Sequence, residues 1–209
     1  MKFYDCSTAP SPRRVRIFIA EKGLDIETIQ VDLRGGEHLG DAFVEINPHR
    51  TVPVLELDDG TRLWDSNSIC LYLEEAFPEP NLMGRDAREK GVISTWNRSM
   101  EWDGFTPVGE VLRNTAKGFQ NRALTGPVDH VQIPEMAERG RRRIRHFLKV
   151  LDARLRDCAY VAGDRFTIAD ITAVVAVDFA AWIKEAIPDD AANLRAWHDR
   201  VSARPGVVP

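Results

Sequence analysis

Thr51-Val52-Pro53-Val54-Leu55, followed one turn later by Trp64-Asp65-Ser66-Asn67-Ser68-Ile69, constrains the fold of this chain more than any other stretch. The first segment reads as a strand entered through a proline, the second as a strand end that tips into a helix. Between them, Asp58-Asp59-Gly60 is a tight hairpin signal. Pro53 has no N–H, so it heads its strand without closing a ladder there, and the main chain of Val52 stays open. A helix beginning at Ser66 presents free N–H groups to an anion. The three elements together can hold a short peptide, with its main chain along Val52, a carboxylate at Ser66 and an amine at Asp65.

The bulk of the chain narrows the setting. Its 209 residues can bury one large core or two small ones, and a hydrophobic fraction of 44% excludes a disordered chain. The formal charge of −4 gives no electrostatic support for nucleic-acid binding. The start, Met1-Lys2-Phe3-Tyr4-Asp5, does not read as a signal peptide, and no apolar run approaches the roughly 18 residues of a membrane span. Cys6, Cys70 and Cys158 are too few and too scattered for a disulfide framework or a zinc site, so no metal is expected and a reduced, cytoplasmic setting is.

The first part alternates strand and helix signals. Lys2 to Asp5 is a short strand; Ser11 and Pro12 read as N-cap and first helical residue; Val15, Phe18 and Ile19 form an apolar stripe; and Gly23 ends the helix. Ile29, Val31 and Leu33 alternate with Gln30 and Asp32 as in a half-buried strand. Asp41 to Ile46 is a short helix, and Ser66 to about Ala76 another. By pattern alone this is a small α/β domain. Phe77-Pro78-Glu79-Pro80-Asn81 is a stiff break, beyond which nearly everything reads as helix. Ile144, Leu148, Leu151 and Leu155 share one apolar face; Ile168, Ile171, Val175, Phe179 and Trp182 share another. Leu194, Trp197 and Val201 mark a last helix, closed by Arg204-Pro205-Gly206, and 116–134 reads as a long loop. In Phe166-Thr167-Ile168-Ala169-Asp170-Ile171, Thr167 and Asp170 predict a capping box, and Phe166 with Ile171 a hydrophobic staple. Arg139-Gly140-Arg141-Arg142-Arg143 reads as a solvated helix face that can also meet acids of a partner.

The order of Gly36-Glu37-His38-Leu39, Asn47-Pro48, Val52-Pro53, Asp65-Ser66 and Gly163-Asp164-Arg165-Phe166-Thr167-Ile168-Ala169-Asp170-Ile171 resembles the cytosolic glutathione transferase family over nearly the whole chain. The resemblance implies α/β plus all-α architecture: an N-terminal thioredoxin-like βαβαββα domain at 1–77, a linker at 78–87 and an all-helical domain at 88–209. It also implies a homodimer and the conjugation of glutathione to a hydrophobic electrophile. On that reading Val52 pairs with the cysteinyl unit of glutathione through its main chain, and Pro53 is cis. Asp65 meets the γ-glutamyl ammonium and Ser66 its carboxylate. His38 reaches the glycyl carboxylate, assisted by Arg50 or Thr51. Each residue also has a plainer reading: Asp65-Ser66 is an ordinary helix start, and His38 a solvated loop residue.

Transfer needs a thiolate, and the position where the family usually carries a serine is Ala9, which has no side-chain donor. The stretch from Tyr4 through Pro10 and Pro12 to Ile17 is similar to a yeast-type branch in which the usual residue is likewise missing. That likeness implies a held water and the helix dipole in its place, with Asn114 and Thr115 as the residues able to hold a water. Ser11 with the dipole of the first helix is the activator this sequence suggests, set against a purely capping role. Ala9, Pro10, Trp96, Met100, Trp102, Phe105, Val108 and Asn114 are candidates to line the electrophile site, part of them as plain core. Two other readings stay open: a non-enzymatic ligand or interaction module on the same fold, favoured by Ala9, and a glutathione-dependent thiol reductase through Cys6.

Overall fold

The computed structural model describes residues 1–207. The chain forms two compact units, one comprising Met1–Pro80 and Thr125–Asp129, the other Asn81–Leu124 and the residues from His130 onward.

In the first unit, strands β1 (Lys2–Asp5), β2 (Glu27–Gln30), β3 (Val54–Glu56) and β4 (Arg62–Leu63) form one sheet in the order β2-β1-β3-β4. The β1/β2 pair is parallel; β1/β3 and β3/β4 are antiparallel. Helices α1 (Pro10–Glu21), α2 (Asp41–Ile46) and α3 (Ser66–Ala76) complete it, with α1 and α3 packed on each other. Successive residues of β1 face opposite sides of the sheet. Tyr4 joins Val31, Phe43 and Val54 in one cluster, its ring edge-on to Phe43, while Phe3 is more deeply buried on the other side. Between α1 and α3 lies a buried ion pair: Lys22 and Glu74 stand 2.6 Å apart, and Lys22 also donates to the Phe77 carbonyl. Burial pushes the neighbouring Cys70 thiol up, so it packs as an apolar group.

Two local expectations are corrected here. Helix α1 starts at Pro10, with Ala9 as its N-cap and no capping side chain, so Ser11 is not the cap. Pro10 takes the first helical position because its fixed φ suits it and its missing N–H is one the helix would leave unbonded there. Strand β2 stops at Gln30, short of Val31 and Leu33. Beyond it the Glu37 carboxylate accepts the Asp32 N–H, and Asp32 accepts the Gly35 N–H, which bends the chain out of the ladder.

The second unit is helical: α4 (Ala87–Ser99), α5 (Thr106–Thr115), α6 (Pro134–Asp157), α7 (Ile168–Ala181) and α8 (Ala192–Ser202). Trp96 and Val108 do not share one regular helix: a π-helical turn at Met100–Phe105 stands between α4 and α5. Pro107 has no N–H to offer the carbonyl four residues back, and its ring would crowd that carbonyl, so the wider turn resolves both conflicts. Gly104 and Gly140 mark close approaches; a Cβ on Gly104 would lie 2.5 Å from the Phe147 ring, and one on Gly140 2.8 Å from Val111. The 116–133 stretch has little regular structure, yet it is pinned: Arg113 donates to the carbonyls of Arg122 and Leu124, Gln132 to those of Arg113 and Ala116, and Asn114 accepts the Ile133 N–H.

Helix α7 is apolar and buried on every side over most of its length, as a central helix must be. Its start is the expected capping box, and both staple residues, Phe166 and Ile171, are buried. Asp170 does more than cap. Fully buried, it accepts hydrogen bonds from the Thr167 N–H and hydroxyl, the Val161 N–H and the Trp197 indole. Burial pushes its carboxyl up to about 6, against the pull of those donors. Trp182, assigned by periodicity to the apolar face, is 56% exposed because α7 ends at Ala181. The arginine run is largely ion-paired: Arg141 and Arg145 meet Glu185, Arg139 and Arg143 meet Glu110, and only Arg142 keeps to a loose pair with Glu138.

Thr167→Ala should cost about 1 kcal/mol, the value of one cap. Asp170→Ala should cost at least about 3 kcal/mol, because it strands the Val161 and Trp197 N–H groups inside the unit. Urea unfolding of both variants checks the difference; equal losses would mean that Asp170 acts as a cap alone.

Candidate functional site

The register of β1 gathers the site. Tyr4 pairs with Val54 antiparallel and Asp5 with Gln30 in parallel, so three segments meet beyond the carboxyl end of β1. These are the 6–9 loop leading into α1, the chain after β2 that carries His38, and Val52-Pro53 entering β3. Open sheets of mixed direction place ligand sites at such ends.

The entry to β3 is held by a residue the sequence reading left without a role. Asn47, buried, donates to the carbonyl and hydroxyl of Thr51 and accepts the His49 N–H. The clue was an Asn-Pro pair before a Val-Pro pair, a turn signal without an assigned partner. The turn it closes puts Arg50 at φ 54° and leaves the buried Arg50 Nε without a hydrogen-bond partner among the described residues. The Val52-Pro53 peptide is cis. The Val52 N–H and C=O make no backbone hydrogen bond among the described residues. An extended peptide can pair with such an edge as a strand would.

At the start of α3, Asp65 is the N-cap. Its Oδ1 accepts the Ser68 N–H and hydroxyl, which leaves Oδ2 for a cation. Ser66, the first helical residue, is buried and donates its hydroxyl to the Ser11 carbonyl at 3.1 Å. That bond joins the starts of α1 and α3. It also commits the Ser66 hydroxyl, so an anion here is offered the Ser66 backbone N–H. His38 lies half-buried in a 3-10 turn at Glu37–Leu39, on the loop after β2.

At the start of α1, Pro10 and Pro12 carry no N–H, and the Arg13 N–H already reaches the Ala9 carbonyl at 3.3 Å. Ser11 therefore provides the one backbone donor of the first turn. Cys6 is buried, with Sγ 3.4 Å from the Thr8 hydroxyl.

The candidates of the helical unit sit as follows. Met100 and Val108 are core. Trp102 is exposed beneath the guanidinium groups of Arg98 and Arg143, and Phe105 packs on Phe179. Asn114 is buried and bonded to the Glu110 carbonyl and the Ile133 N–H, and the Thr115 hydroxyl to the Val111 carbonyl.

Comparison with known proteins assigns this architecture. Family models for the glutathione S-transferase N-terminal and C-terminal domains match residues 8–76 and 121–205. The chain is 37% identical to glutathione S-transferase 2 of Saccharomyces cerevisiae, over 99% of this chain and 88% of that one. The chain belongs to the glutathione S-transferase family. Its fold superposes on the crystal structure of Gtt2 from Saccharomyces cerevisiae with a TM-score of 0.90 at 36% identity, covering 99% of this chain and 98% of that one. It superposes on a glutathione S-transferase domain-containing protein of Marinobacter aquaeolei with a TM-score of 0.91 at 38% identity, covering 99% and 100%. The thioredoxin-like first domain and helical second domain are thus those of a glutathione transferase.

Asn47→Ala should lower stability by about 2 kcal/mol, because it leaves the Thr51 carbonyl without its donor. An unchanged urea midpoint would mean that the rest of the chain holds the turn before Pro53.

Proposed function

We propose that the enzyme conjugates the glutathione thiolate to a small hydrophobic electrophile. The observation that carries this reading is the coincidence, in one unit, of three complementary groups: a Val52 main chain without a backbone partner among the described residues, a carboxylate oxygen left over on Asp65, and the N–H of Ser66 at the start of α3. Glutathione is a short peptide with an ammonium and a carboxylate at its γ-glutamyl end. The ammonium meets Asp65, the carboxylate meets the start of α3, and the cysteinyl unit pairs with Val52. The glycyl carboxylate is left for Arg50 and His38, with Thr51 beside them. The buried Arg50 Nε supports that assignment, since a donor so placed gains from an anion.

The sulfur then falls at the start of α1, where Ala9 offers no side chain and the Ser11 N–H, its hydroxyl and the helix dipole favour the thiolate. The thiol proton leaves to solvent. The thiolate lone pair forms the new carbon–sulfur bond, and the leaving group departs with the electrons of the broken bond. Holding both reactants and keeping the sulfur ionised are the terms the protein supplies. Ala9, Pro10, Trp102, Phe105 and Asn114 remain the electrophile-side candidates, and the working form is a cytoplasmic homodimer. Reduction through Cys6 is disfavoured, because a thiol so buried is poorly placed for exchange.

Calorimetry should give micromolar-to-millimolar binding of glutathione to the wild type, and Asp65→Ala/Ser66→Ala should abolish it. A folded wild type that takes up no glutathione would overturn the reading. Ser11→Ala should raise the pH at which turnover reaches half its maximum; an unmoved profile would leave activation to the Ser11 N–H and the dipole alone.

A further inference from the structure

The loop in front of α1 is held by three side chains that no role above uses. Asp5, the last residue of β1, is 1% exposed. Its Oδ1 accepts Arg16 Nη1 at 2.5 Å and its Oδ2 accepts Gln30 Nε2 at 2.8 Å. Each partner then reaches past the carboxylate to the backbone. Gln30 Oε1 accepts the Ser7 N–H at 2.8 Å. Arg16 donates through Nη1 to the Cys6 carbonyl at 3.1 Å and through Nη2 to the Ser7 carbonyl at 2.9 Å. Ser7 is thus gripped at both its N–H and its C=O. The Cys6 carbonyl also takes the Ala9 N–H at 2.9 Å, which closes the turn that delivers the N-cap of α1.

A buried carboxylate with two donors, each also bonded to one short loop, is more than a sheet needs. The β1/β2 ladder is already made by backbone pairing, and Val31 donates to the Asp5 carbonyl without help from side chains. What the extra bonds fix is the path of Cys6-Ser7-Thr8-Ala9. That path sets where the Ser11 N–H points, and two prolines leave the first turn no second donor to compensate for an error. A side-chain hydroxyl at position 9 could swing to meet a sulfur; a single backbone N–H cannot.

We propose that Asp5, Arg16 and Gln30 form a positioning clamp that aims the start of α1 at the glutathione sulfur and so replaces the missing hydroxyl at residue 9. The proposal rests on the glutathione reading above. The clamp touches neither the peptide nor the electrophile. It acts through Ser7 and the turn to Ala9, and its effect falls on the ionisation of the bound thiol while affinity for the tripeptide with its sulfur capped is spared.

Gln30→Ala is the cleaner test, since Gln30 lies exposed on the edge strand β2; Arg16→Lys, which keeps the charge and loses the fork, is the second. The ultraviolet absorbance of the thiolate in the glutathione complex is titrated against pH, and turnover is followed with chlorodinitrobenzene. Calorimetry measures glutathione and S-methylglutathione, whose sulfur carries no proton. In folded variants the apparent pKa of the bound thiol should rise by about one unit, a tenfold loss of thiolate at a given pH below it. Turnover at neutral pH should fall in step, and glutathione affinity at about pH 7 should weaken about threefold by proton linkage, while the S-methylglutathione constant stays within about twofold, well under the tenfold that 1.4 kcal/mol represents. An unmoved titration overturns the clamp, as does a loss of S-methylglutathione affinity as large as that for glutathione, which would mark a purely structural role. Failure of the wild type to bind either tripeptide is a separate result: it removes the glutathione reading itself and the clamp with it.

Discussion

The position of β1 between a parallel and an antiparallel neighbour is the constraint on which the rest of the first unit depends. A strand in that place has loops from both neighbours arriving at its carboxyl end, one leaving β2 and one entering β3, in addition to its own exit into α1. Backbone that must leave a sheet exposes polar groups, and those groups have to be bonded or offered to a ligand. The chain does both. Asn47 and Gln30 satisfy the backbone that has to be rigid, and among the described residues the Val52 main chain and the N–H groups of Ser11 and Ser66 are left open. The bond from the Ser66 hydroxyl to the Ser11 carbonyl ties the two helix starts into one surface.

Much of this was legible in the sequence because it is local. The strand through Tyr4, the Gly60 hairpin, α3 from Ser66 and the capping box at Thr167 each follow from residues within a few positions of one another, where propensity and capping rules apply. The misreadings also have local causes. Two prolines two residues apart gave two plausible helix starts, and a serine between them made the wrong one attractive; helix geometry prefers Pro10 at the first position and leaves Ser11 inside. The π turn at Met100–Phe105 was invisible to a periodicity argument, since it shifts the register of a helix without ending it. Trp182 failed for a similar reason: the face continued in sequence after the helix had stopped.

What the sequence could not disclose is long-range pairing between polar side chains. Asp5, Arg16 and Gln30 lie on a strand, a helix and a second strand, and no spacing rule connects them. Nor does any pattern connect Asp170 with Trp197, which are 27 residues apart and joined by an indole–carboxylate bond. Both networks centre on a buried carboxylate in a domain whose composition is unremarkable. Such a group is costly unless every oxygen is bonded, so the fold surrounds it with donors that happen to be distant in sequence. The arginine run shows the converse: a charge cluster that reads as solvated becomes specific once Glu110 and Glu185 are brought beneath it.

On the glutathione reading, the loss of a hydroxyl at Ala9 is a smaller handicap than it looks. A free thiol titrates near 8.5, and a hydrogen bond to a charged acceptor contributes about 1.5–3 kcal/mol. A helix N-terminus adds about 0.3–1 kcal/mol when exposed and up to about 2 kcal/mol when partly buried. One N–H and one dipole together thus supply about 2–4 kcal/mol, or about 1.5–3 pKa units, enough to bring the sulfur to about 5.5–7 and keep a useful fraction ionised at neutral pH. That stabilisation is realised only if the N–H is aimed, because hydrogen bonds weaken steeply as they bend below about 120°. A backbone donor has no rotamer with which to correct itself. The less the side chain at residue 9 can do, the more the site depends on what fixes the backbone before it, and in this chain that is a buried carboxylate held between an arginine and a glutamine.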